Sequence, residues 1–268
     1  MTYGEQPQYT PDTFGSARLL VKDFDGTVAQ TFEPSPSGIN VEQASQQAID
    51  VVFGASAVDE YVRDGGLRNR APLEVVKALA PDATPTELRV LQTSFVNSKL
   101  GVLISDVGSE FEDGSTWPRP MPGYLDLQER IESARSEGAL IDDLILSSGH
   151  KDFIDAVYAS WGIPSPTHII AEEAMRERGL GHRVKPSSVL MKVAHTVWAD
   201  QYGVVFNRDI AADVRSRTVF VGDDPDKDGT LAKRSGVENF HLINKDNSVE
   251  TWGKIALWLN LEELAEYE

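Results

Sequence analysis

Short runs of apolar residues alternate along this chain with stretches whose apolar positions recur at helical spacing. Most of the runs Arg18–Phe24, Leu140–Ser147, His168–Ala171, Thr218–Gly222 and Phe240–Ile243 are too apolar for half-exposed strands. They predict strands covered on both faces. Val41–Phe53 places Ala44, Ala48, Val51 and Val52 at helix-compatible spacing, and Pro72–Leu79 reads as a second, shorter helix. Thr84-Pro85-Thr86-Glu87 reads as a capping box with proline at the first helical position, so a long helix should run to about Leu103. Tyr124–Glu137, stopped by Gly138, and Asp152–Trp161, stopped by Gly162, are further helices. Ser187–Gln201, Lys227–Arg234 and a terminal helix from about Val249 to Tyr267 complete the set. Strands alternating with helices predict an α/β fold with a parallel sheet.

The alternation is interrupted once. Residues 34–120 hold no strong strand, and Asp113–Pro122 is a Gly-, Pro- and polar-rich return linker. This predicts a helical insert over 34–120, set into an α/β core built from 17–33 and 121–268. Residues 1–16 are polar and read as a loosely ordered tail, without the basic start and apolar stretch of a signal peptide.

Composition narrows the function. The 268 residues are 41% apolar, enough for one large domain or two ordinary ones, and the formal net charge is −17. So acidic a surface disfavours nucleic acid and anionic membranes as partners. No stretch is long and apolar enough to predict a membrane span. There is no cysteine, which excludes disulfides and thiolate chemistry and fits a cytoplasmic location.

The candidate chemistry lies at strand ends. Leu19–Val21 runs into Lys22-Asp23-Phe24-Asp25-Gly26-Thr27. Residues i and i+2 of an extended segment point the same way, so Asp23 and Asp25 can share a site at the strand's C-terminal end, where open parallel sheets bind ligands. Two carboxylates held together repel unless a cation or a shared proton intervenes. The pair suggests a metal site, a nucleophile beside an acid, or both. Leu144-Ile145-Leu146 ends in Ser147-Ser148-Gly149-His150. That end suits either a phosphoryl oxygen or a helix N-cap. Lys185-Pro186 opens a helix, and a lone lysine there gains weight only from its company. Val219–Val221 ends in Gly222-Asp223-Asp224, with Asp226, Asp228 and Gly229 following. The last stretch mimics the start of a calcium loop, but the twelfth position, which needs a glutamate, is Ser235.

Together these four segments resemble the haloacid dehalogenase-like (HAD) hydrolase superfamily in its phosphatase branch. The first motif, Asp-x-Asp-Gly-Thr, is matched by Asp23 to Thr27. The second, an apolar strand ending in Ser or Thr, is matched by Ser147. The third is matched by Lys185-Pro186, and the fourth, Gly-Asp with a later Asp, by Gly222-Asp223 and Asp228. The order is right, and the resemblance covers about residues 18 to 245. About 120 residues separate Asp25 from Ser147 but 38 separate Ser147 from Lys185, so the insert falls where the superfamily places a helical cap. Two features depart from the pattern: Lys22 stands where an apolar or aromatic residue is usual, and there is extra sequence around Tyr202 to Arg217.

The resemblance implies a Rossmann-like doubly wound parallel sheet with an inserted cap, and a Mg²⁺-dependent phosphatase acting on a small phosphorylated metabolite. By that pattern Asp23 is the nucleophile and Asp25 the general acid–base. Asp23, Asp223 and the Asp25 backbone carbonyl hold Mg²⁺, with Asp228 and Asp224 behind them. Ser147, Ser148, Gly149 and Lys185 bind the phosphate. A sugar phosphomutase of the same superfamily keeps the same acid and is the alternative enzyme; a phosphate-accepting domain without turnover is the alternative outside enzymes. Arg68 and Arg70, two cations within the insert, are candidates for substrate selection. His150, Lys151 and His182 lie near the motifs and are ambiguous. Oligomeric state is not readable from the sequence.

Overall fold

The computed structural model describes residues 9–63, 71–171, 175 and 185–261. Arg68, Arg70 and His182 lie outside the described residues. So do the last positions of the predicted terminal helix.

The chain begins with a helical turn, α1 (Pro11–Phe14), and enters β1 (Arg18–Lys22). The insert supplies α2 (Val41–Phe53), α3 (Ala55–Arg63), α4 (Pro72–Leu79) and α5 (Pro85–Asp106). Then follow α6 (Tyr124–Ser136), β2 (Ile141–Leu146), α7 (Lys151–Ser160), β3 (His168–Ile170), α8 (Ser188–Gln201), α9 (Ala211–Ser216) and β4 (Thr218–Gly222). A π-helical turn at Pro225–Gly229 leads into α10 (Thr230–Ser235), β5 (Asn239–Leu242) and α11 (Ser248–Trp258).

Among the described residues the five strands form one parallel sheet in the order β3-β2-β1-β4-β5. The protein is therefore α/β, with a helical insertion between β1 and β2. Parallel neighbours need crossovers, and the helices between successive strands provide them. β1 is central: Lys22 pairs with Ile145 of β2 on one side and with Val221 of β4 on the other. Every residue of β2 and β4 is buried, as the two-face covering predicts, whereas the edge strands β3 and β5 are only partly buried, with Leu242 exposed.

The described residues divide into two compact units. One comprises Met1–Gln30, Pro120–Lys151 and Pro166–Glu268, the other Thr31–Arg119 and Asp152–Ser165. In the first, Leu19, Val21, Leu144, Leu146 and Phe220 of the sheet pack with Leu190, Met191, Ala194 and Trp198 of α8. In the second, Ala48, Ile49, Tyr61, Val75, Val76 and Phe95 form a separate core. The expected capping box is present: the Thr84 and Glu87 side chains bond reciprocally to each other's backbone at the start of α5. Residues 152–165 are tied to the second unit by Trp161, whose Nε1 donates to the Pro118 carbonyl at 2.8 Å, and by Phe153 against Trp117.

Two expectations are corrected. Residues 9–16 are not a loose tail: Phe14 is buried against Trp198 and Tyr202, and Tyr9 meets Tyr202 edge-on. The isolated Phe14 carries no periodicity, so burial by tertiary packing left no local signal. The helix predicted over Lys227–Arg234 is a π turn followed by the shorter α10. Helices α3 and α9 were not predicted, and α9 lies in the extra sequence before β4. No helix among the described residues is long and apolar enough to cross a membrane.

Candidate active site

The C-terminal ends of β2, β1 and β4 lie side by side, and the candidate residues sit at or just beyond them. Asp23 directly follows β1 and is held there by its N–H, which donates to the Val221 carbonyl at 2.9 Å. The chain then turns sharply: Thr27, Val28 and Ala29 all donate to the Phe24 carbonyl. Gly26, at φ +75°, takes the left-handed conformation the turn demands.

Lys185 knots the site. Its ammonium is buried, 2.5 Å from Asp23 Oδ1 and 2.8 Å from Asp228 Oδ1. Asp23 Oδ1 also accepts from the Phe24 N–H at 2.7 Å. Asp23 Oδ2 has no hydrogen bond among the described residues. Burial opposes the Lys185 charge, yet the two aspartates outweigh it and raise the ammonium above its ordinary pKa. Lys185 and Pro186 are joined by a cis peptide bond.

Asp23, Asp223 and Asp228 each offer a carboxylate oxygen within 4.8 Å of the others. Burial and then the Asp23 charge push both Asp223 and Asp228 well above the ordinary carboxylate range, with each other's proximity adding to the effect at Asp223. One lysine does not balance this cluster. All-oxygen donors, excess negative charge and partial burial fit a hard divalent cation such as Mg²⁺.

Asp228 is fully buried in the π turn. It fits because Gly222 has no side chain: a Cβ there would lie 2.4 Å from Asp228 Cγ. Asp224 acts differently from Asp228. Its carboxylate caps the π turn, accepting from the Asp226 and Lys227 N–H groups at 2.8 and 2.9 Å. It reaches the site through its own N–H, which donates to Asp228 Oδ2 at 3.3 Å.

On the β2 side, Ser147 is buried and its Oγ accepts from the Gly149 N–H at 2.9 Å. A Cβ on Gly149 would lie 3.1 Å from Ser147 Oγ and 3.3 Å from Asp25 Oδ2. Ser147 and Asp25 therefore converge at Gly149, and a glycine leaves that space open. Ser148 is exposed. The sequence reading placed Asp228 behind the metal ligands, holding Lys185; it does bond Lys185, at 2.8 Å, and its carboxylate also lies within 4.8 Å of those of Asp23 and Asp223. That reading missed the need for a side-chain-free residue at Gly222, because a glycine before an aspartate reads simply as a turn.

No protein-family model matches the sequence, and no curated protein matches it. Solved structures do. A HAD phosphatase from Thermococcus onnurineus superposes with a TM-score of 0.50 at 14% identity, covering 92% of this chain and 100% of that one. The chain has the HAD-like hydrolase fold. CbbY from Rhodobacter sphaeroides, solved in complex with phosphate, gives a TM-score of 0.50 at 17% identity over 82% of this chain and 84% of that one. A β-phosphoglucomutase from Clostridium difficile gives 0.52 at 11% identity, over 90% and 99%. The HAD-like fold thus carries, in this chain, an acidic cluster at the C-terminal edge of its central strands.

Proposed function

We propose that the protein is a Mg²⁺-dependent phosphatase that hydrolyses a small phosphate monoester through an aspartyl-phosphate at Asp23. The observation that carries this reading is the convergence of Asp23, Asp223 and Asp228 around one buried lysine. A site that only held structure together would have no reason to gather three repelling carboxylates.

Asp23 Oδ1 is held by Lys185 and the Phe24 N–H, which leaves Oδ2 to attack phosphorus. The bond to the leaving oxygen breaks as Asp25 donates its proton to the departing alcohol. Asp25 then takes a proton from the water that attacks the aspartyl-phosphate, and inorganic phosphate leaves. Lys185 and the Ser147 hydroxyl stabilise charge on the transferring group, the main task in phosphoryl transfer. Asp23, Asp223 and the Asp25 backbone carbonyl would hold Mg²⁺, with Asp228 beside them. When bound, Mg²⁺ supplies the positive charge that offsets the carboxylates and the phosphate dianion.

The test is phosphate release from p-nitrophenyl phosphate with and without Mg²⁺. Turnover should require the metal, fall at least ~10³-fold in Asp23→Asn and fall ~10²–10⁴-fold in Asp25→Asn. Metal-independent turnover, or an active Asp23→Asn, would refute the reading. Release of an isomerised sugar phosphate in place of inorganic phosphate would move the assignment to a mutase.

A further inference from the structure

A second cavity in the α/β unit, of about 420 Å³, is lined by α8, the segment 206–215 and the end of α10. Acidic residues outnumber basic ones 42 to 25 in this chain. Yet the charged residues lining this cavity are Lys192, Arg208, Arg215 and Arg234, without one carboxylate among the described residues. None of the four forms an ion pair among the described residues. Gathering cations without counter-charge costs self-repulsion, and a cleft so lined focuses positive potential inward.

Two of these cations have contacts with neighbouring backbone. Arg234 donates to the Pro186 carbonyl at 3.4 Å. Arg215 lies across Gly236, where a Cβ would come 3.3 Å from its Cδ. Gly236 adopts φ +69°, a conformation that favours glycine. His195 also lines the cavity and is buried, with its Nε2 3.2 Å from Thr218 Oγ1. Ser235 Oγ, shielded from solvent, has no hydrogen-bond partner among the described residues. The rest of the lining includes Val189, Met191, Ala211 and Phe206, whose ring lies 5.5 Å from that of His195. Much of this wall comes from the extra sequence between α8 and β4.

From the four cations, the orphan hydroxyl and the apolar wall, we infer that this cavity is a second binding site for a phosphorylated organic molecule carrying at least two negative charges, such as a nucleoside diphosphate. The phosphates take Lys192, Arg208, Arg215 and Arg234, and the apolar body lies on Phe206 and Val189. A cavity of this size lies in the range of small-molecule sites. None of its lining residues belongs to the Asp23 site, so the inference stands whether or not the phosphatase reading does.

The test is calorimetric titration of the full chain with ADP at low ionic strength in EDTA. Wild type should bind one ADP, and Lys192→Gln/Arg208→Gln should bind at least tenfold more weakly while its ligand-free thermal midpoint is unchanged. Both substituted side chains are exposed, so the fold does not depend on them. Ser147→Ala should bind as wild type does. Pyrophosphate, which has the charge without the ring, should bind at least tenfold more weakly than ADP. No binding by wild type, undiminished binding by the double variant, or loss of binding in Ser147→Ala would overturn the site. Pyrophosphate binding as tight as that of ADP would overturn its organic specificity.

Discussion

Lys22 stands one residue before Asp23 but points to the opposite face of the sheet, where it is fully buried. Its ammonium meets the Asp143 carboxylate and donates to Tyr124 Oη at 3.0 Å. Burial pushes the Lys22 ammonium below its ordinary pKa, with Asp143 opposing. Asp143 fares better because Arg135 also donates to it, at 2.8 Å. Burial alone would raise its pKa, but the two cations prevail and hold it at about 2. An unusual lysine is thus made tolerable by a partner on the neighbouring strand. Removing one member of a buried pair strands the other's charge, at a cost of ~3–5 kcal/mol. Asp143→Asn should therefore destabilise the protein by about that amount in urea unfolding. Lys22→Met should lose distinctly less, since Arg135 still pairs with Asp143. Equal losses in the two variants would show that the lysine is not the group left stranded.

At the scale of elements, the strands and most helices were legible because each keeps its apolar pattern locally. Thr218–Gly222 and Val41–Phe53 have the bounds their sequence pattern predicts. What escaped depended on distant partners. Phe14 becomes core only against Trp198 and Tyr202. Asp142 and Asp143 interrupt an otherwise apolar strand, yet their partners lie on other elements: Trp198 on α8 and Tyr202 just past its end for Asp142, Arg135 on α6 and Lys22 on β1 for Asp143. The candidate site was legible as four motifs, while the closeness of Asp228 to Asp23 and Asp223 was not. That closeness depends on the strand–turn junction, where Asp228 folds back over Gly222. Gly222→Ala would force a Cβ into the Asp228 carboxylate, and Asp228 could yield only by displacing Lys185. Misplacement by about 1 Å can cost ~10²-fold in rate. Mg²⁺-dependent turnover of p-nitrophenyl phosphate should drop by about that factor in Gly222→Ala, with the circular dichroism spectrum retained. A variant within twofold of wild type would show that the junction tolerates a side chain.

For the molecule as a whole, the buried groups set its response to acid, and His195 is one of those that act in the mildly acidic range. Burial, reinforced by Arg215, lowers the His195 pKa to about 4, against about 6.5 in an unfolded chain. Between these values the unfolded state binds more protons than the folded state, so His195 makes stability rise with pH. Its penalty is absent well above pH 6.5, grows as pH falls and is complete below pH 4. Asp143 has the opposite cause and a lower window: its depressed pKa contributes stability above about pH 3.8 that is lost as pH falls toward 2. The raised carboxylates Asp223 and Asp228 act against His195, because folding increases their proton uptake. Comparing wild type with a variant that lacks only the imidazole cancels both carboxylate effects. His195→Gln keeps a polar group near Thr218 Oγ1 but cannot titrate. Between pH 8 and pH 5 wild type should lose about 2 kcal/mol more than His195→Gln in urea unfolding. Parallel pH profiles for the two proteins would mean that His195 accepts its proton inside the folded protein as readily as outside it.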